Sequence, residues 1–157
     1  SFFQKLRDDG LKMVIRMNEE DKALLAIDPG KDKCGLAVLN YRQTLLCKKI
    51  VGREELRSYI NELINIYNIR EIIIGDGTFS REIIQDIREL TDIAIELVDE
   101  AFTTMEAEKR YWQEKGGLWK RLFPVINWKP KRPLDDYVAL ILAERYLQEG
   151  QVDINGR

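Results

Sequence analysis

The sequence predicts an α/β domain with a mixed five-stranded sheet, in which a three-strand antiparallel meander is joined to parallel strands, and with helices on both faces. Two observations lead to this fold class. The chain first shows short apolar runs separated by turn residues, which indicates strands joined by hairpins. From about residue 54 it alternates between helical apolar spacing and short β-branched runs, which is typical of strand–helix–strand units.

The first three strands follow from apolar runs bounded by turn residues. Residues 23–27 are all apolar and lead into an Asp-Pro-Gly turn, which predicts a buried strand. Residues 35–39 and 44–51 form the next two strands, and residues 40–43 form the hairpin turn between them. Because strands joined by a short connection pair antiparallel, we expect these three to form the meander.

The rest of the domain alternates helices and strands. Apolar residues recur every three or four positions in the helical segments, and the later strands contain β-branched runs. Thr103 and Glu106 have the spacing of a capping box, which indicates a helix start. We expect helices over 54–67, 80–90, 103–112 and 133–150, and strands over 72–74 and 93–98.

A single domain over residues 22–150 accounts for this pattern. Residues 1–21 have mixed charge and weak periodicity, so we expect an arm or short helix there, and residues 151–157 are expected to form a tail. No apolar run approaches the roughly 18 residues that a membrane span needs. We therefore expect a cytoplasmic protein with no membrane partner.

The residue types that are missing narrow the chemistry. The 157 residues include no histidine, which excludes Ser-His-Asp catalysis and a His-ligated zinc site. The two cysteines cannot form a four-thiolate metal site, and the net charge of −2 gives no overall sign of nucleic-acid binding. Acid–base or metal chemistry must therefore rest on Asp, Glu, Lys or Tyr.

Acidic residues follow the carboxyl ends of three predicted strands. Asp28, Asp76 and Glu100 lie at the ends of strands that become neighbours if the later units are parallel. Ligands of open α/β sheets bind at that edge. Asp135 and Asp136 begin the last helix, which can bring a further carboxylate to the same place.

We expect such a cluster of carboxylates to bind a divalent cation. Clustered carboxylates repel one another unless a cation neutralises them, and oxygen ligands suit Mg²⁺ or Mn²⁺. One or two such ions would support hydrolysis of a phosphodiester. For any single acid, the competing interpretation is an ordinary turn or helix cap.

A basic, aromatic segment spans residues 109–132. It carries eight Lys or Arg residues against one Glu and contains all three tryptophans of the chain. Basic residues neutralise phosphates and aromatic rings stack on bases, so the composition suits nucleic acid, whereas a loop anchored by aromatics with solvated charges is the alternative. The candidate nucleic-acid-binding residues are Lys33, after the first strand, and Lys109, Arg110, Trp119, Lys120, Arg121, Trp128, Lys129, Lys131 and Arg132.

Three motifs resemble those of a known family. Residues 27–38 (IDPGKDKCGLAV) resemble the first motif of the YqgF/RuvX family of RuvC-like nucleases, an Asp-x-Gly, a basic residue and then Gly-x-Ala-Val. Residues 99–107 (DEAFTTMEA) are similar to its Asp-Glu-Arg-aliphatic-Thr-Thr motif. Residues 134–147 resemble its C-terminal motif, an aliphatic-Asp that leads into an Ala-containing helix. The motifs occur in family order.

The resemblance implies an RNase H-like fold and a metal-dependent nuclease. It implies that Asp28, Glu100 and Asp135 are the catalytic, metal-binding acids, while Asp76 and Asp136 remain further candidate ligands. Alignment on Tyr146 favours Asp135 over its neighbour Asp136. Family members are described as Holliday junction resolvases and as nucleases that mature ribosomal RNA precursors. The expected partner is therefore branched DNA or precursor rRNA, and a homodimer would suit a two-fold-symmetric junction.

Departures from the family pattern keep other functions open. Ala101 stands where the family motif has Arg, and Lys33 replaces the Arg of the first motif. Residues 74–82 are closer to the corresponding stretch of the nuclease-inactive domains of Tex-like transcription proteins, so a catalytically inactive binding module is the second hypothesis. A fragment of a sugar-kinase or actin-like ATPase is the third, although such proteins need two domains around a nucleotide.

Overall fold

The computed structural model describes residues 22–101, 103–115 and 132–155. The strands are β1 (Lys22–Asp28), β2 (Lys33–Asn40), β3 (Leu45–Gly52), β4 (Asn68–Gly75) and β5 (Ala94–Val98). The helices are α1 (Leu56–Ile66), which follows a 3₁₀ turn at Arg53–Glu55, then α2 (Ser80–Leu90), α3 (Thr103–Lys115) and α4 (Asp135–Asn155).

The five strands form one sheet in the order β3-β2-β1-β4-β5. Strands β1, β2 and β3 pair antiparallel, whereas β1, β4 and β5 pair parallel. The predicted meander joined to parallel strands is therefore confirmed. Because β1, β4 and β5 run in the same direction, their carboxyl ends meet at one edge of the sheet, and this edge positions the acidic residues.

The side chains of the middle strand alternate between two apolar cores. Leu25 and Ile27 face the core that α1 and α2 cover, whereas Leu24 and Ala26 face the core that α4 covers. All four are fully buried. Burial of a leucine or isoleucine stabilises the fold by about 1.5–3 kcal/mol, so β1 is a rigid support for the residue at its end.

Helix α4 is longer than the sequence predicts. It continues through Asn155, past Gly150, where the helix was expected to end. A glycine costs a helix only about 1 kcal/mol, and no proline follows to stop it. Residues 1–21 lie outside the described residues, so the arm or short helix remains a prediction. Within the described ranges, no helix has the length and apolar character needed to cross a membrane.

Candidate active site

Asp28 is the last residue of β1. It pairs with Gly35 of β2, and the preceding residue, Ile27, is paired with Ile74 of β4. Side chains alternate along a strand, so Asp28 lies on the same face as Ala26, which is the face that α4 covers. The strand thus delivers a carboxylate to the point where β1, β2, β4 and α4 come together.

Glu100 comes from the turn between β5 and α3. The Thr103 hydroxyl donates a hydrogen bond to the Glu100 carbonyl (2.7 Å), and the Ala101 amide donates one to Asp99 Oδ1 (3.0 Å). These bonds fix the backbone of the turn. Gly75 provides the space for the carboxylate, because a β-carbon at that position would overlap with Oε1 of Glu100.

Asp135 is the first residue of α4, and its position depends on a glycine of β2. A β-carbon on Gly35 would overlap with the backbone carbonyl of Asp135 and lie 2.8 Å from the amide nitrogen of Asp136. The missing side chain therefore lets the first turn of α4 rest directly on the strand that pairs with Asp28. The structure brings the three acids together from three separate segments.

Asp28 lies at the centre of this group. Its carboxyl shares side-chain hydrogen bonds with both Glu100 and Asp135. Burial, and after it the negative charges of Glu100 and Asp135, together raise the pKa of Asp28 to about 8. Burial also raises the pKa of Glu100; the hydrogen bond with Asp28 opposes this shift, and the charges of Asp76 and Asp99 add to it.

Two of the three acids have a buried oxygen that is not hydrogen-bonded within the described part of the chain. Among the residues that the structure describes, Oε1 of Glu100 and Oδ2 of Asp135 are buried without a hydrogen-bond partner. In those ranges no three acidic or cysteine side chains already surround a common ion position. The donors are nevertheless all carboxylate oxygens, two with unused buried lone pairs, and this set fits a hard divalent cation.

The two further candidate ligands lie in different surroundings. Asp76 is exposed, and its amide donates a hydrogen bond to the Val98 carbonyl (2.8 Å), which places it beside Glu100 at the sheet edge. Asp136 is only 5% exposed and forms salt bridges with Lys48 (3.0 Å) and Arg132 (3.1 Å). Its carboxylate is therefore occupied by basic side chains rather than turned to the acids.

Of the basic candidates that the structure describes, two form ion pairs with acidic residues and two are exposed. Arg110 donates to both carboxylate oxygens of Glu144 (3.0 and 2.7 Å), which ties α3 to α4, and Arg132 is engaged with Asp136. Lys33 and Lys109 are exposed. Six of the sequence-predicted nucleic-acid-binding residues lie outside the described residues: Trp119, Lys120, Arg121, Trp128, Lys129 and Lys131.

Lys48 was not among the site residues predicted from the sequence. This residue pairs with Ala37, which belongs to the core under α4, so Lys48 faces α4 while the next residue, Lys49, faces the other side. Alternation within the predicted third strand could have signalled it, because one of two adjacent lysines in a strand must point towards the covered face.

The fold and the acidic edge define the class of protein. The structure is similar to that of T. thermophilus RuvC in complex with a Holliday junction substrate, with a TM-score of 0.53 and 16% sequence identity over 86% of this chain and 96% of that one. The predicted RNase H-like fold is thereby confirmed: the protein has the fold of RuvC-type nucleases.

The sequence comparison gives the family. The profile described as "RuvX: Holliday junction resolvase" matches residues 22–149, and the chain belongs to this family. Two proteins named "Putative pre-16S rRNA nuclease" are similar to it, each over 145 residues and 83% of this chain. The one from Dictyoglomus thermophilum is 29% identical and is covered over 98% of its length, and the one from Dictyoglomus turgidum is 33% identical and covered over 96%.

The family resemblance inferred from the three motifs is confirmed by this match. RuvC-like resolvases are nucleases that act on nucleic acid and generally use a divalent metal ion.

Proposed function

We propose that this protein is a divalent-metal-dependent nuclease that hydrolyses phosphodiester bonds of structured nucleic acid. Asp28, Glu100 and Asp135 would hold one or two Mg²⁺ or Mn²⁺ ions, and Asp76 is the candidate for a fourth ligand. One observation carries the proposal. The carboxylates of Glu100 and Asp135, from distant segments, converge on that of Asp28, and one buried oxygen of each lacks a hydrogen-bond partner among the described residues.

The chain supplies the position and the charge that this reaction needs. A divalent ion held by Asp28, Glu100 and Asp135 would neutralise charge on the phosphodiester and lower the pKa of the attacking water. Asp28 brings its carboxylate from the rigid middle of the sheet, whereas Glu100 reaches the site from a turn fixed by Thr103 and Asp99. Metal binding requires ionised carboxylates, and a raised pKa at Asp28 means that a proton leaves this group when the ion binds.

The basic, aromatic segment is the proposed contact for the nucleic acid. It begins within α3 and ends at Arg132, three residues before α4 begins at Asp135, so its C-terminal end is close to the acids in the chain. Lys33 is exposed on the α4 face, at the start of β2, two residues before Gly35. Positive charges beside the acids would attract phosphates to an otherwise negative edge.

The substrate is proposed from the relatives. The two Dictyoglomus proteins carry the name of a pre-16S rRNA nuclease, and the similar RuvC structure contains a Holliday junction. We therefore propose precursor 16S rRNA or branched DNA as the substrate. A homodimer is proposed for the second case, because a junction of two-fold symmetry presents two equivalent strands for cleavage.

A cleavage assay tests the proposal. The protein is incubated with four-way DNA junctions, single-stranded RNA and precursor 16S rRNA in Mg²⁺, in Mn²⁺ and in EDTA. We expect metal-dependent cleavage that Asp28→Asn lowers roughly 100-fold, because the central carboxylate is lost. Circular dichroism shows whether the variant remains folded. Cleavage that persists in folded Asp28→Asn would falsify the assignment of the site.

The second candidate function is a catalytically inactive binding module. The observation that favours it is Ala101, an exposed alanine at the position where the family motif has an arginine. In the same assay this module would bind nucleic acid without cleaving it in any metal. Its melting temperature would also be unaffected by Mn²⁺, since no ion would bind to the folded state.

A further inference from the structure

Lys48 is a largely buried lysine that links the sheet to the start of α4. Its ammonium nitrogen lies 3.0 Å from Oδ2 of Asp136 and 3.7 Å from the centre of the Tyr137 ring. Only 19% of the Lys48 side chain is exposed, and only 7% of the Asp136 side chain. The ion pair spans 88 positions of the chain and joins β3 to the residue that follows Asp135.

Arg132 also binds Asp136, but it holds the helix in a different way. Its guanidinium reaches both oxygens of the carboxylate (3.1 and 3.2 Å) from four residues upstream in the chain. Because Arg132 and Asp136 belong to the same segment, their ion pair moves with the start of α4. In the described ranges, the ion pair that connects Asp136 to the sheet is that of Lys48.

The first turn of α4 needs such a connection. The backbone amides of a first helical turn have no intrahelical partners, so this turn frays more readily than the rest of a helix. The Tyr137 amide donates to Oδ1 of its neighbour Asp136 (2.9 Å), which makes Asp136 part of the same turn as Asp135. Gly35 allows the turn to approach β2, but a glycine has no side chain with which to hold it.

We propose that Lys48 is a positioning residue, whose ion pair with Asp136 fixes the first turn of α4 on the sheet and thereby aims the Asp135 carboxylate at Asp28. The inference rests on the proposed metal-dependent function. Lys48 does not belong to the acidic cluster itself. It acts through Asp136, so its removal changes the position of Asp135 rather than a ligand.

Removal of Lys48 has opposite expected effects under the two possible roles. If the lysine only adds positive charge near the site, its loss makes the region more negative and tightens the binding of a divalent cation. If it positions Asp135, its loss weakens cation binding in spite of that electrostatic gain. Groups that orient a metal ligand typically change the metal affinity by about 10–100-fold when they are removed.

The test is Mn²⁺ binding to the full chain, measured from the EPR signal of free Mn²⁺. We expect Lys48→Met to bind Mn²⁺ about tenfold more weakly than wild type and Lys48→Arg to restore most of the affinity. Lys49→Met is the matched control. It removes the same charge from the adjacent, exposed residue, whose ammonium lies over the Tyr59 ring (4.8 Å) on the other face of the sheet. The affinity of this variant for Mn²⁺ should stay within about twofold of that of wild type.

Unchanged or tighter Mn²⁺ binding in Lys48→Met overturns the inference. If this variant does not fold, the double variant Lys48→Met with Asp136→Asn replaces it, because it leaves no unpaired lysine or carboxylate from this pair. The same tenfold loss is then expected, and wild-type affinity overturns the inference. If wild-type protein binds no Mn²⁺, or if Asp28→Asn binds it equally well, the proposed metal site fails instead.

Discussion

Asp135 and Asp136 are neighbours in the sequence but lie in opposite electrostatic surroundings. Asp136 is buried between Lys48 and Arg132. Burial alone would raise its pKa, but the hydrogen bonds from Arg132 and Lys48 more than offset that effect and hold the pKa below its ordinary value. Asp135 instead contacts Asp28, and one of its buried oxygens has no hydrogen-bond partner in the described part of the chain.

This difference separates an acid that stabilises the fold from acids that serve the site. A buried carboxylate that is neutralised and hydrogen-bonded by two basic side chains has no oxygen available to bind a metal ion. Three partly buried carboxylates that face one another cost stability, and such a cost is typical of functional sites. The structure therefore favours Asp135 over Asp136 as the proposed ligand, as alignment on Tyr146 also did.

A large loss of stability is expected at Gly35, where the start of α4, which carries both acids, rests on the sheet. Gly35→Ala inserts a β-carbon into the backbone of Asp135, which must move. Overpacking of this kind typically costs about 1–3 kcal/mol, or roughly 3–9 °C in melting temperature for a chain of this size. We also expect Mn²⁺ binding to be lost. Thermal unfolding followed by circular dichroism measures the first effect.

Gly52→Ala is the matched control for this prediction. Gly52 also lies in the meander, at the end of β3, and a β-carbon there would meet no atom within 4 Å. Its melting temperature should stay close to that of wild type. Equal losses in the two variants would show that glycine is required for the strands themselves and not for the approach of α4.

A smaller effect distinguishes the two neighbouring acids. Asp136→Asn removes the charge that Lys48 and Arg132 share, and we expect a loss of about 1–2 kcal/mol, since Arg132 is partly solvated. Asp135→Asn removes a repelling charge and should leave the stability unchanged or raised. Urea unfolding of both variants in EDTA measures the difference. A greater loss for Asp135→Asn would reverse the roles assigned here.

Much of the fold could be predicted from the sequence, because its signals are local. The apolar run before Asp28 and the helical spacing of residues 80–90 mark their elements directly, and both are present in the structure. The convergence of Asp28 and Glu100 also followed, since parallel strands place their carboxyl ends at one edge.

The rest depends on contacts that no local pattern encodes. The pairing of Lys48 with Asp136 joins residues 88 positions apart, and nothing in either segment specifies the other. The environment of Asp135 likewise depends on Gly35, one of ten glycines in the chain. Local sequence patterns could therefore identify both acids at the start of α4 as candidate ligands, but they could not assign a different role to each.

Asp28 also makes the stability of the fold depend on pH. An unfolded chain releases the proton of this carboxyl near its ordinary pKa of 3.8, whereas the folded protein retains it up to about pH 8. Between these values the folded state binds more protons than the unfolded state, so the free energy of unfolding falls as the pH rises. Asp28→Asn lacks this contribution. In EDTA its melting temperature should therefore exceed that of wild type by an amount that grows from pH 5 to pH 8.

Mn²⁺ should raise the melting temperature of wild type but not of the variant, because the ion binds only the folded state with its central carboxylate. A difference between the two proteins that stays constant with pH would mean that Asp28 is ionised in the folded protein, and the contrast between unpaired and paired acids would then rest on Asp135 and Asp136 alone.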